Sequence, residues 1–414
     1  MTKKAKLHLF EAFGVELEYM IVNKQTLDVL PISDLLLKDE YGQIQGEWEH
    51  GDIAWSNELV GHVIEIKSNG PKADLKALSD SFHENIKVIN KRLSAHNAML
   101  LSSAAHPWMN PNTETVLWAH DSHEIYQMYD SIFGCKGHGW SNLQSTHINL
   151  PFYDDEEFSK LHTAIRFLLP LIPSLTASSP ILREKFTEYY DRRLYYYERN
   201  QSNIPVLTGR VIPERIYSKH GYQKYIYDKI TEALRPHNSN GLLNPIWMNS
   251  RGAIARFDRG AVEIRIIDIQ ECAQSDLAVV AFLVEILKLL VGGNWISFEK
   301  QKSFSTDALQ EIFHDTVRSG SKTKIESKTY RECFGVEEET GQASTIWREI
   351  YKSVTEKGTS EFEVWKPTIR RIIQSGTLAE RIIAAVDDDY SHENILRIYR
   401  ELSECLKNGE LFGA

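Results

Sequence analysis

The sequence predicts an α+β fold in which one antiparallel sheet is backed by helices and followed by a helical C-terminal region. β-rich runs carry polar side chains at every second position, as in Val15-Glu16-Leu17-Glu18, His62-Val63-Ile64-Glu65-Ile66 and Val262-Glu263-Ile264-Arg265-Ile266. Side chains two apart in a strand share a face, so each run offers one polar and one apolar face. That alternation suits a half-exposed antiparallel sheet better than a parallel one, whose strands are buried on both sides. Between the runs, apolar residues recur at steps of three and four, the period of a helix that covers a sheet.

Taken in order, residues 8–24 read as the first strand, with Asn23-Lys24-Gln25-Thr26 as its turn, and 62–66 as a second β-rich run. Pro71 opens a helix in which Leu75, Leu78, Phe82, Ile86, Ile89 and Leu93 form one stripe. Met99 to Ser103 is a strand, Asp121 to Ile132 a short helix, Gly134 to Gly139 a glycine-rich turn, and Ser145 to Leu150 a strand ended by Pro151. A helix from Asp155 to Leu169 leads through Pro170-Leu171-Ile172-Pro173 to Leu175-Thr176-Ala177-Ser178-Ser179-Pro180. Residues 183–240, rich in Arg and Tyr with few long apolar runs, are expected to form loops and short helices around a cleft. The strand at 261–267 precedes a helix starting at Ser275 or Asp276, either of which suits an N-cap. From about residue 300 the pattern is helical and polar, with a loop expected over 318–345, and no repeat of fixed period is visible. We expect a catalytic sheet-and-helix domain over 1–300 and a mostly helical region over 301–414 packed on that same domain.

Composition narrows the class. The 414 residues suffice for a sizeable core, and 25% charged with 10% aromatic residues is not the composition of a disordered chain. A net charge of -10 argues against a nucleic-acid partner, which normally calls for a basic patch. Cys135, Cys272, Cys333 and Cys405 are scattered with no zinc-type spacing and are expected to be free thiols. The basic stretch Met1 to Lys6 meets Glu11 and Glu16 before an adequate apolar segment develops, so no export signal is read and a cytoplasmic location is expected. The most apolar stretch, Leu277 to Val291, is interrupted by Glu285 and Lys288 and falls short of the roughly 20 residues a membrane span needs. No membrane partner is expected. The polar C-terminal helices are a candidate homodimer surface.

Alternating acids also occur on ordinary solvent-facing strands, but here several strands repeat the pattern. Glu16, Glu18, Glu58, Glu65 and Glu263, with His147, would bring five carboxylates and one imidazole to a shared face. Carboxylates packed that closely cannot all stay ionised without cations between them. Oxygen-dominated ligand sets favour magnesium or manganese over zinc, and magnesium commonly shares its sphere with substrate phosphates, which points to a nucleotide. Glu58 and Glu65 are seven apart and would fall on opposite faces of one regular strand, so a bulge or bend at Gly61 is expected to realign them. Arg265, two residues from Glu263, shares its face and can fork onto phosphoryl oxygens, with Arg251, Arg256 and Arg259 just upstream as further phosphate or carboxylate contacts. No GxxxxGKT loop, GxGxxG after a strand or GxSxG elbow occurs. The run Tyr195-Tyr196-Tyr197 is read as packing.

These residues carry a resemblance. Phe13-Gly14-Val15-Glu16-Leu17-Glu18, Gln144-Ser145-Thr146-His147-Ile148-Asn149, Leu175 to Pro180, Gly260 to Arg265 and Gly376-Thr377-Leu378-Ala379-Glu380-Arg381 resemble, in order, the signature segments of the type 2 glutamate-cysteine ligase family of carboxylate-amine ligases. The resemblance implies a funnel-shaped antiparallel sheet of the glutamine synthetase catalytic-domain type with helices on its outer face. It implies magnesium ligands at Glu16, Glu18, Glu58, Glu65, His147 and Glu263, and a phosphate-contacting, catalytic role for Arg265 beside Glu263. Arg256 and Arg251 join Arg265 as expected ATP contacts. The segment from Asp191 to Arg210 and the Ser250-Arg251 pair depart from the family pattern, so substrate identity is not implied with them.

The expected chemistry is ATP-dependent ligation. A substrate carboxylate attacks the γ-phosphorus and the acyl phosphate is captured by an amine, with positioning and charge neutralisation carrying the phosphoryl transfer. A glutamate-like acid, and cysteine or another amino compound as the amine, follow from the family, as does a place in glutathione biosynthesis. Two alternatives stay open at this point: a guanidino kinase-like phosphotransferase, and a noncatalytic nucleotide- or metabolite-binding protein on the same scaffold. A zinc metallohydrolase is disfavoured by a single histidine among many acids.

Overall fold

The computed structural model describes residues 6–39, 41–293, 295–337 and 341–413. Strands β1 (Gly14–Asn23), β2 (Glu47–His50), β3 (Ile53–Asn57), β4 (Val63–Ser68), β5 (Ala98–Leu101), β6 (Ser145–Pro151), β9 (Ala253–Arg256) and β10 (Ala261–Asp268) form one sheet, while β7 (Ile181–Leu182) and β8 (Lys185–Phe186) form a separate hairpin. The large sheet runs β2-β3-β4-β1-β6-β10-β9, with β5 also paired to β1, and every pairing is antiparallel. The α+β expectation therefore holds, with the acid-bearing strands β4, β1 and β10 and the His147-bearing strand β6 adjacent at the centre.

The odd positions of β1 explain one core. Val15, Leu17, Tyr19 and Ile21 are buried with the stripe of helix Leu75–Ser94, namely Leu78, Phe82, Ile86, Ile89 and Leu93, and with helix Ala273–Gly292. Each such large apolar side chain contributes about 1.5–3 kcal/mol when fully buried. The even positions meet two different environments. Glu16 and Glu18 line the polar floor, whereas Met20 and Val22 are buried with Leu378, Ile382, Ile395, Ile398, Tyr399 and Leu402. Helices Leu378–Val386 and His392–Asn408 thus cover the far end of the polar face, while residues of Thr306–Ser319 and Ala343–Lys357 join the opposite core. The chain after residue 300 divides between both faces of the sheet.

Several boundaries shift. The first strand begins at Gly14, the first helix at Leu75 behind an Asp74 N-cap, and the helix after β10 at Ala273, with Cys272 as an N-cap residue whose side chain makes no capping bond. The expected loop at 318–345 contains helix Lys328–Glu332; its residues 338–340 lie outside the described set, as do 1–5 of the expected N-terminal segment. Among the described residues no helix is long and apolar enough to cross a membrane.

Candidate active site

Cross-strand register assembles the floor. Glu16 faces His147 across β1 and β6, Glu18 faces Glu65 across β1 and β4, and Glu263 faces Asn149 across β10 and β6. Directly opposed residues share a face, so four acids from three strands and the imidazole of a fourth converge. Glu16 accepts from His147 Nδ1 at 3.1 Å and from Asn149 Nδ2 at 3.1 Å. Glu18 Oε2 accepts the Ser145 backbone N–H at 2.7 Å and its hydroxyl at 2.8 Å, and that hydroxyl lies 2.9 Å from His147 Nε2. Glu65 Oε1 accepts from Ser56 Oγ at 2.7 Å and pairs with Lys67 at 3.1 Å.

The parity difficulty of Glu58 and Glu65 resolves without a bulge. The two residues do not share a strand: Glu58 follows the last residue of β3, Glu65 lies in β4, and Ser56 is paired opposite Glu65. A connecting loop resets the alternation, which corrects the expected bulge at Gly61.

Ligand atoms of Glu16, His147 and Glu263 lie within 4.8 Å of one another, and so do those of Glu18, Glu65 and His147. His147 is common to both triads. Glu58 stands outside both but feels them: burial first, then the Glu18 and Glu65 charges, push its carboxyl well above the usual range. Burial and the charge of Glu16 likewise raise Glu65. Burial would raise Glu16 too, yet the His147 hydrogen bond and the charges of His147, Lys67 and Arg265 outweigh it and hold the carboxyl at about 2. Burial opposes protonation of His147, but Glu16 and Glu18 raise it above its ordinary value. Hard oxygen donors so crowded that Glu58 is driven toward neutrality fit divalent magnesium or manganese better than zinc.

One end of the floor is cationic. Glu263 Oε1 lies 2.9 Å from Arg265 Nε, and its Oε2 3.3 Å from Arg256 Nη1. Arg256 also pairs with Asp258 at 3.0 Å. Arg251 is elsewhere engaged. Its Nε and Nη2 each donate at 2.6 Å to Glu214, and Nη1 donates to Asn249 and to the Val206 and Leu207 carbonyls. A guanidinium so occupied and 2% exposed is bound within the protein rather than offered to a ligand.

The pairing of β10 with β6 slips between Ile264 and Ile267, a β-bulge that places Asp268 opposite Ser145 and hence on the site face. Gly252 permits it: its carbonyl accepts the Arg265 N–H at 3.0 Å, and a Cβ there would sit 2.8 Å from Ile266 Cγ2. Strict alternation puts Asp268 on the opposite face from Glu263, so sequence reasoning missed it. It also missed Arg193, which pairs with Asp268, and Lys67, which sits two residues from Glu65 and was findable by the same alternation. Tyr197 is packed in the core, as expected of the tyrosine run; its buried hydroxyl sits near Arg265 and Arg193, and burial, only partly offset by those two charges, raises its pKa.

The other motif segments serve this floor. Ser178 N–H and Ser179 Oγ donate to Asp268 Oδ2 at 2.8 and 2.9 Å. The Ala379 N–H donates to the Ala177 carbonyl at 2.8 Å, and Arg381 forks onto Glu271 at 2.7 and 3.2 Å.

A sequence model of glutamate-cysteine ligase family 2 (GCS2) matches residues 12–401. An uncharacterized protein of Archaeoglobus fulgidus is 34% identical over 400 residues, 96% of this chain and 99% of that one. A putative glutamate--cysteine ligase 2 of Bdellovibrio bacteriovorus is 22% identical over 285 residues, 67% of this chain and 66% of that one. Among solved structures, the fold is similar to the glutamate--cysteine ligase of Francisella tularensis in complex with AMP, with TM-score 0.64 and 12% identity over 96% of this chain and 89% of that one. It is also similar to a bifunctional glutathione synthetase from Pasteurella multocida, with TM-score 0.61 and 13% identity over 97% of this chain. The match covers 52% of that synthetase, so the present chain spans about half its length.

Proposed function

Because the chain belongs to glutamate-cysteine ligase family 2, we propose that it is an ATP-dependent ligase that joins the carboxylate of a glutamate-like acid to an amine, cysteine or another amino compound, through an acyl phosphate. The observation that carries this reading is the pair of acid triads sharing His147, with Arg265 and Arg256 closing one end. Glu16, Glu18, Glu65, His147 and Glu263 would hold divalent cations, with Glu58 beside them. Such cations supply charge neutralisation for nucleotide phosphates.

The protein's own part is positioning. Arg265 and Arg256, tethered through Glu263, would contact phosphoryl oxygens, a use to which the planar guanidinium fork is suited. The hydrogen bonds from Ser145 and Asn149 fix the carboxylate rotamers before ligand arrives, so little is lost in ordering them. The reaction then needs no protein nucleophile. The cysteines agree with that: burial pushes the Cys135 and Cys272 thiols up to about 12 and Cys405 up to about 11, and raises Cys333 as well, so none offers a thiolate near neutrality.

The test is an ADP-release screen of glutamate and related acids against a panel of amines, with mass detection of the product. Amide formation with stoichiometric ADP is expected, abolished in Glu16→Gln and Glu263→Gln while both variants stay folded. A phosphorylated amine without amide would instead establish the phosphotransferase. ATP binding without turnover across the panel would establish a noncatalytic binding protein.

A further inference from the structure

The bulge in β10 has a buried support that no step above uses. Arg193 and Asp268 are 2% and 0% exposed. The Arg193 guanidinium donates through Nε to Asp268 Oδ1 and through Nη1, at 3.3 Å, to the backbone carbonyl of Arg265. Asp268 is itself fixed by Ser178 and Ser179 through its other oxygen. A single side chain therefore ties the far end of the bulge to its middle residue.

Asp191 completes the support. Its Oδ1 caps helix Arg192–Tyr197 by accepting the Leu194 N–H at 2.8 Å, and its Oδ2 finds no donor among the described residues. With Asp191 and Asp268 both fully buried beside one guanidinium, the charge of Arg193 balances only one of them. Arg193 pairs directly with Asp268, and burial together with the Asp268 charge pushes the Asp191 carboxyl well above its usual range.

We propose that Arg193, held by Asp268, is the positioning residue that sets the bulge and thereby aims Arg265 into the site. Arg193 does not touch the reacting atoms. It acts by denying the Arg265 backbone its alternative positions, and displacement of a catalytic group by about 1 Å costs on the order of 100-fold in rate. The inference rests on the ligase reading only for what Arg265 contacts; the placement of Arg265 is a separate observable.

Arg193→Lys keeps the charge and can still pair with Asp268, but an ammonium cannot also reproduce the fork onto the Arg265 carbonyl. Expected for this variant are a melting temperature below wild type but well above the assay temperature, a kcat for ADP release lowered by about 100-fold, affinity for magnesium-ADP weakened in calorimetry, and a crystal structure with Arg265 displaced relative to Glu263. Asp191→Asn, which imitates the neutral acid and keeps the cap, should retain near wild-type kinetics, whereas Asp268→Asn should share the defect of Arg193→Lys. An Arg193→Lys crystal structure with Arg265 unmoved would overturn the proposal whatever the kinetics. So would equal defects in Asp191→Asn and Asp268→Asn. A wild-type enzyme that neither binds magnesium-ADP nor releases ADP would overturn the ligase reading instead, and the crystal structures would still decide the role of Arg193.

Discussion

The buried ion pair between Glu271 and Arg381 permits a worked prediction. Arg381 donates through Nη1 and Nη2 to the two Glu271 oxygens at 2.7 and 3.2 Å, and Nη1 also reaches the Phe412 carbonyl at 2.9 Å. Glu271 has no exposed surface and the Arg381 side chain is 8% exposed, so neither charge can turn to water if its partner is removed. Arg381→Met keeps the unbranched apolar stem, removes the guanidinium and leaves Glu271 unpaired. Stranding one member of a buried pair costs about 3–5 kcal/mol, equivalent to roughly a 10²- to 4 × 10³-fold loss in the folding equilibrium. Because the desolvation cost of both charges disappears together, the double variant Glu271→Leu with Arg381→Met should recover most of that loss. The assay is reversible urea unfolding followed by tryptophan fluorescence on both single variants, the double variant and the wild type. An Arg381→Met midpoint within about 1 kcal/mol of wild type, or a double variant no more stable than the single, would refute the reasoning.

Three further outcomes follow from the same structure. In chelated buffer, the Glu16 carboxyl lowered from 4.5 to about 2 contributes stability that is present above pH 4.5 and lost as pH falls toward 2; the interval is worth about 3 kcal/mol, counted once although His147 is raised by the same contact. Unfolding midpoints of Glu16→Gln should show a correspondingly weaker decline between pH 5 and 3, and an unchanged decline would contradict this account. Arg251→Lys should lose about 1–3 kcal/mol of stability by giving up its fork onto Glu214 and its backbone contacts, while the KM for ATP stays at the wild-type value; a selective rise in that KM would restore Arg251 to the nucleotide site. Thr377 and Glu380 form a capping box at the start of helix Leu378–Val386, so Thr377→Ala should cost about 1 kcal/mol in urea unfolding.

What was legible in the sequence was local. The acids of β1, β4 and β10 and the imidazole of β6 declared themselves because two-residue alternation is a property of consecutive side chains, and the stripe from Leu75 to Leu93 did so for the same reason at a helical period. The hairpin of β2 and β3 also carries a local signal: alternating Glu47-Trp48-Glu49-His50, a two-residue Gly51-Asp52 turn with Gly51 at φ +67°, then Ile53 to Asn57. That signal puts Glu58 after one strand and Glu65 in the next. Asp268 was hidden for a physical reason, since a bulge reverses the face of every residue beyond it and depends on Gly252 at the entry to another strand. Arg193 was hidden because its partner lies 75 positions away and no periodicity links them. The occupation of Arg251 by Glu214 is equally long-range; a guanidinium bound within the protein and one offered to ligand look identical in one dimension.

The two environments along the even face of β1 have a consequence for folding. Glu16 and Glu18 need the open floor, Met20 and Val22 need the cover of the C-terminal helices, and the odd residues need the opposite core. Sliding the strand by one residue would drive both carboxylates into hydrocarbon. A slide of two would carry Glu18 into the place Met20 takes in the native register, inside the apolar cluster of Ile398 and Leu402. Both mispairings are therefore penalised by the same acids that line the site. The carboxylates act as a ruler for chain assembly, so a variant that neutralises them trades away fidelity of strand alignment together with any chemistry they perform.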